Sequence, residues 1–238
     1  MNRSREQTIR ELGLGPLWRL RAPAPAETVA EPVARTASAE PAKDERTAAI
    51  ASMGWDELGP AVAGCRTCAL CQARKQAVLG VGDVNADWLF VGEGPGAEED
   101  ERGEPFVGQA GKLLDAMLAA IDLKRGTDVY IGNSVKCRPP NNRTPEPDET
   151  AACWPYLARQ IELIKPRLIV ALGRPAAQTL LQTEVKISSS RGRLFDYKGI
   201  PVVVTYHPAY LLRTLPEKAK AWEDLCFARR TMGKLKVS

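Results

Sequence analysis

Along the chain, four short apolar runs alternate with stretches of helical period. Residues 88–91, 129–131, 168–172 and 202–205 are unbroken and strand-like, the pattern of parallel strands covered on both faces. Between them, residues 111–121 bring Leu113, Leu114, Met117, Leu118 and Ile121 to one side of a helix. Residues 148–164 predict a second helix, kinked or shortened at Pro155, and residues 175–181 a third after a turn at Gly173. Strand alternating with helix predicts an α/β fold, a three-layer α/β/α sandwich around a central, mostly parallel four-stranded sheet. A further helix over 48–58 would deliver the chain to Cys65, and no internal repeat is seen.

The amino-terminal pattern is different. Residues 4–21 could open as a short amphipathic helix with Ile9 and Leu12 on one side, stopped by Gly13, Gly15 and Pro16. Leu14, Leu17, Trp18 and Leu20 would then be exposed, which suits docking to a protein partner. Residues 22–47 are rich in Ala, Pro and Glu, without period, and read as a linker. The expected division is a disordered extension over 1–46 and one globular domain over 47–238.

Composition narrows the setting. With 238 residues and 44% hydrophobic content there is enough chain for one sizeable core. No apolar run approaches the roughly 18 residues of a membrane span, and no secretory signal is seen. Three of the six cysteines lie in Cys65-x-x-Cys68-x-x-Cys71, which suits a metal site in a reducing compartment better than a disulfide framework. A cytoplasmic protein is expected. The net charge is only +4, but residues 205–238 hold seven Lys and Arg against three acids, an excess that could meet phosphate.

The first strand runs into Gly92-Glu93-Gly94-Pro95-Gly96, a loop that leaves backbone N–H groups bare at the carboxyl end of a strand, where α/β sheets bind ligands. Gly92-x-Gly94-x-x-Ala97 also fits a relaxed dinucleotide fingerprint. However, Glu98, Glu99 and Asp100 would repel a pyrophosphate there, and no acidic residue ends a second strand about twenty positions on. The charged segment 97–102 is expected to loop over the site.

Cys65 and Cys68 form a two-ligand clip. Cys137 and Cys153 bracket an irregular, proline-rich loop, so four thiolates could close that loop onto the clip around zinc or an iron–sulfur cubane. A zinc ribbon would prefer a second closely spaced pair, which is absent; Cys71 and Cys226 are left as buried thiols. Asn133 follows a strand and could read a base edge with its amide. His207, the only histidine, follows another strand, and Phe106 lies between glycines as core or as a stacking platform.

Taken in order, Gly92–Gly96, Pro105-Phe106-Val107-Gly108, Asn133, the run from Val135 to Pro145 and His207-Pro208-Ala209-Tyr210-Leu211-Leu212-Arg213 strongly resemble the family 4, iron–sulfur uracil-DNA glycosylases. The resemblance begins near Cys65 and runs to the carboxyl terminus. It implies hydrolysis of deoxyuridine in single- or double-stranded DNA by a monomer, with the nucleotide flipped from the stack. It also implies that Gly92, Glu93 and Gly94 line the uracil pocket, Phe106 stacks on the base, Asn133 pairs with N3–H and O4, and His207 sits at O2. Cys65, Cys68, Cys137 and Cys153 would hold a [4Fe–4S] cluster, ordering the loop that carries Arg143 against the DNA. Leu211 would be the wedge in the vacated stack, and Arg213 a phosphate contact. Gly94 stands where another branch of the superfamily has an aspartate to orient water, so Glu98 is the expected replacement, with Glu93 and Asp100 behind it. A related branch that traps uracil carries a histidine-containing insert after the second strand; residues 138–143 have no histidine, so turnover is expected. The alternative is an iron–sulfur DNA-binding or redox module without glycosylase activity.

Overall fold

The computed structural model describes residues 40–237. The 4–21 segment and most of the 22–47 stretch lie outside the described residues. Two helices open the described chain, α1 (Glu40–Ser52) and α2 (Trp55–Gly64), separated at Met53-Gly54. The helix read over 48–58 is therefore two, and residues 40–47 are helical where composition suggested linker. A single turn, α3 (Leu70–Ala73), leads to β1 (Val81–Gly82) and β2 (Trp88–Gly92). Next come α4 (Ala97–Arg102), α5 (Gln109–Ala119) and β3 (Val129–Asn133). After one 3₁₀ turn at Pro140–Asn142 the chain forms α6 (Pro147–Ile164), β4 (Leu168–Leu172), α7 (Arg174–Leu181) and α8 (Ile187–Ser190). It ends with β5 (Leu194–Tyr197), β6 (Ile200–Thr205), α9 (Pro208–Arg213) and α10 (Glu217–Leu235). Helix α6 runs its full 18 residues through Pro155.

The sheet has six strands in the order β1-β3-β2-β4-β6-β5. Its inner four, β3, β2, β4 and β6, are parallel, and the two edges are antiparallel. β2, β3 and β4 are buried at every position, as continuous apolar runs require when helices cover both faces. Side chains alternate between the layers. Trp88 and Phe90 join Leu114, Leu118 and Leu225 beneath α5 and α10, while Leu89 and Val91 join Leu157, Ile161 and Leu180 beneath α6 and α7. A smaller cluster packs Ile50, Leu58 and Val62 against Tyr156, Cys137 and Cys153. No helix among the described residues is long and apolar enough to cross a membrane.

Register aligns the functional ends of the strands. Gly92 is paired with Asn133 across β2 and β3, and Leu172 with Thr205 across β4 and β6. All four parallel strands thus deliver their next residues to one edge of the sheet. Thr205, at the end of β6, donates its hydroxyl to buried Asp224 of α10 (2.7 Å), which also accepts from Arg191 Nε (2.9 Å). This junction fixes the strand end just before Tyr206 and His207.

Candidate active-site cleft and cysteine cluster

A cleft of about 750 Å³ opens at that edge, lined among others by Glu93, Gly94, Glu99, Phe106, Asn133, His207 and Arg213. Its floor is built from a strand pair with one side chain missing. A Cβ at Gly92 would lie 2.5 Å from Asn133 Oδ1 and 2.6 Å from Phe106 Cζ, so only glycine leaves room for both groups. Asn133 is 2% exposed, and its Oδ1 is buried without a hydrogen-bond partner. A buried acceptor left unmet costs about 1–3 kcal/mol, so this oxygen is open to a donor that enters the cleft.

Phe106 stands beside it, buried, with φ of 56°. A bulky residue held in the left-handed region stores about 1–3 kcal/mol of strain and requires outside support. Arg125 supplies it, donating to the carbonyls of Pro105 (2.9 Å) and Phe106 (2.8 Å) while its head pairs with Asp115 at 2.9 Å. The ring of Phe106 lies 5.5 Å from that of His207. His207 caps α9, and its Nδ1 accepts the Ala209 N–H at 3.1 Å. Burial, helped by the charge of Arg213 and opposed by Glu99, lowers its pKa to about 4. The ring is therefore neutral at pH 7, and with Nδ1 accepting, its proton is on Nε2. Gly173, at φ 89°, makes space next to it; a Cβ there would come within 2.9 Å of the His207 Cβ.

The four carboxylates of this region have different fates. Glu99 accepts from the backbone N–H groups of Gly96, Val107 and Gly108 (2.9–3.1 Å), which closes the first loop onto the Phe106 loop. Asp100 is buried and accepts from the backbone of Lys75 and Gln76, so 97–102 is a pinned helix and not a covering loop. Glu98 is exposed and does not line the cleft. Glu93 does line it; burial raises its pKa, against a hydrogen bond with Thr144 and the charge of Arg174.

Behind the floor, five cysteines, Cys65, Cys68, Cys71, Cys137 and Cys153, surround a second small cavity. Cys226 is on α10, away from it. Cations and N–H groups face the sulfurs: Arg74 donates to Cys137 Sγ (2.7 Å), the Lys136 backbone N–H to Cys153 Sγ (3.2 Å), and Arg46 lies 3.9 Å from Cys65 Sγ. Such surroundings fit a thiolate-ligated group. Among the described residues, no three His, Cys, Asp or Glu side chains converge closely enough to hold one metal ion.

With this geometry in view, the comparisons with known proteins converge. The profile of the uracil DNA glycosylase superfamily matches residues 79–226. The chain is 48% identical to a type-4 uracil-DNA glycosylase of Archaeoglobus fulgidus over 66% of its own length and 82% of that protein. It is 50% identical to the type-4 enzyme of Thermotoga maritima over 63% and 78% of the two chains. For that of Pyrobaculum aerophilum the identity is 42% over 73% and 92%. The chain belongs to the uracil-DNA glycosylase superfamily.

Within this uracil-DNA glycosylase framework, two expected DNA contacts are placed differently. Leu211 is 1% exposed and packed into the core with Leu114 and Leu225, so it is not free to wedge into a base stack; Leu212, about 100° further round α9, is 41% exposed. Arg143 borders the cleft, but its guanidinium is bidentate on buried Glu149 (2.6 and 2.8 Å) and ties the 138–145 loop to α6. Arg174 and Arg213 are exposed on the cleft wall. Sequence reading assigned no place in the site to Lys136, Glu99, Arg174, Tyr206 or Tyr210. Lys136 is 1% exposed, with its pKa lowered to about 8 by burial, against the pull of Cys153 and Cys137.

Proposed function

We infer that the protein hydrolyses the N-glycosidic bond of deoxyuridine in DNA, releasing uracil and leaving an abasic site for base-excision repair. The observation that carries this reading is the unpartnered, buried Oδ1 of Asn133 on the cleft floor. Uracil presents N3–H to that oxygen and O4 to the amide nitrogen. A base reaches such a floor only after leaving the stack, and Phe106 offers its ring there. As the bond to the sugar breaks, electrons pass to the base and negative charge collects at O2. The neutral His207, with its proton on Nε2, is a donor for that charge, the kind of pre-set electrostatic term that weighs most in catalysis.

Glu93 is the carboxylate we assign to the water. It stands in the cleft, whereas Glu98 is outside it and Glu99 and Asp100 are occupied by backbone N–H groups. Glu93 would orient the water and take its proton as the sugar carbon is attacked. Arg174 and Arg213 would meet phosphates. Cys65, Cys68, Cys137 and Cys153 would hold a [4Fe–4S] cluster, which when bound supplies a rigid tie between segments distant in sequence.

Incubating the protein with single- and double-stranded oligonucleotides that contain one deoxyuridine tests the reading. Free uracil and alkali-labile strands are expected from both without added cofactor. Absence of release above the protein-free control would overturn it and leave a binding or redox module.

A further inference from the structure

Two tyrosines on the cleft wall are not needed to hold uracil. Tyr206 and Tyr210 stack with ring centroids 5.3 Å apart and planes 14° from parallel, and both line the cleft. Tyr206 is firmly held. The Arg191 guanidinium lies over its ring at 5.6 Å, and Arg191 is itself fixed by Asp224 and Glu223. Tyr210, by contrast, is 39% exposed, in the same helix turn as Arg213. An exposed aromatic ring, parallel to a braced one and flanked by arginines, is the arrangement that single-stranded nucleic acids use as a stacking platform.

We propose that Tyr210, braced by Tyr206, is a subsite for the nucleobase adjoining the flipped uridine. This rests on the uracil reading and adds to it a second, sequence-tolerant base contact. When one nucleotide leaves the stack, its neighbour loses a stacking partner, and Tyr210 replaces it. In a duplex that neighbour is still held by its complement, so the platform favours single strands.

The test uses the full-length protein and short single strands in which the base 5′ or 3′ to deoxyuridine is replaced by an abasic tetrahydrofuran. One of the two replacements is expected to lower the kcat/KM of the parent about tenfold, the scale of one base–aromatic stack. Tyr210→Ala is expected to lose about tenfold on the intact strand and nothing more on that abasic strand, while Tyr210→Phe behaves as the parent. Inhibition by free uracil should be unchanged in Tyr210→Ala, which shows that the pocket is intact. Insensitivity of the parent to both replacements, or an equal loss by Tyr210→Ala on intact and abasic strands, would overturn the proposal. Oligonucleotide affinity measured by anisotropy reads the same flank dependence if no uracil is released, so failure of the platform and failure of the uracil reading are distinguishable.

Discussion

The side-chain nitrogen of Lys136 lies 2.8 Å from the backbone carbonyl oxygen of Asn133 and 2.5 Å from Oε1 of Gln160, with all three residues buried. Gln160 in turn donates to the Tyr130 hydroxyl (3.1 Å) and the Leu79 carbonyl (2.9 Å). The backbone N–H of the same lysine meets Cys153 Sγ. One residue therefore joins the Asn133 end of β3 to the cysteine cavity.

Lys136→Met should expose that link. It removes the donor to two buried acceptors, each costing about 1–3 kcal/mol when unmet, partly offset because an ammonium no longer has to be buried. A modest fall in Tm is expected, with free-uracil affinity weakened about tenfold as Asn133 loses its anchor. Unchanged product affinity in a folded variant would show that Lys136 does not hold the strand end.

His207 permits a clean pH test because the chain has one histidine. Its pKa is lowered to about 4, mainly by burial, against about 6.5 in an unfolded chain. Between those values the unfolded state binds more protons, so the His207 contribution makes stability fall as pH drops from 6.5 toward 4 and changes nothing above 6.5. The imidazole signals in NMR should stay those of a neutral ring down to about pH 5. An inflection near 6.5, with activity carried by the protonated side, would mean that a cation faces O2.

Glu93 and Glu98 are separated by a pair of isosteric variants. Glu93→Gln keeps the shape but removes the base, so uracil release should drop about 100-fold or more. Glu98→Gln, at an exposed position, should stay near the parent. Because burial raises the Glu93 pKa, the acid limb of the parent profile should lie above the usual carboxylate range. A larger loss in Glu98→Gln would return the water to Glu98.

How far these features could be read from sequence depends on what each one advertises. The four inner strands announce themselves because a strand covered on both faces must be apolar throughout. Asn133 and His207 were found because they stand where such runs stop. The edge strands gave no comparable signal: β1 is only Val81-Gly82, and β5 alternates with polar and exposed residues. Lys136 was invisible because a lysine beside a cysteine normally reads as solvated surface, and its burial is decided by Gln160 on α6. Leu211 and Leu212 differ by one step on α9, so which is exposed follows from where Pro208 starts the helix. Glu93 and Glu98 likewise differ by where Gly96 caps α4.

The cysteines offer a test that does not depend on catalysis. The purified protein should be yellow-brown with broad visible absorption. Cys137→Ser should lose the colour, and Cys226→Ser should retain it. Cys71→Ser is the informative variant, since Cys71 lines the same cavity as the four proposed ligands; retained colour is expected. Stoichiometric zinc in a colourless, anaerobically prepared protein would refute the cluster.

Asn133→Asp tests the pocket itself. Uracil offers N3–H as donor and O4 as acceptor, whereas cytosine offers N3 as acceptor and its amino group as donor. With the amide oxygen turned to N3–H and the nitrogen to O4, cytosine meets acceptor against acceptor and donor against donor. Two buried mismatches at about 1–3 kcal/mol each suffice for strong discrimination. The aspartate replaces the donor with a second acceptor, so uracil release should fall by orders of magnitude. Weak cytosine excision should emerge, most visibly in mispairs or single strands, where less pairing energy opposes flipping. His207→Ala, in contrast, should slow release without altering base preference, because the contact proposed for it is to O2, which both bases share. Parent-like uracil release by Asn133→Asp would mean that another residue reads the base.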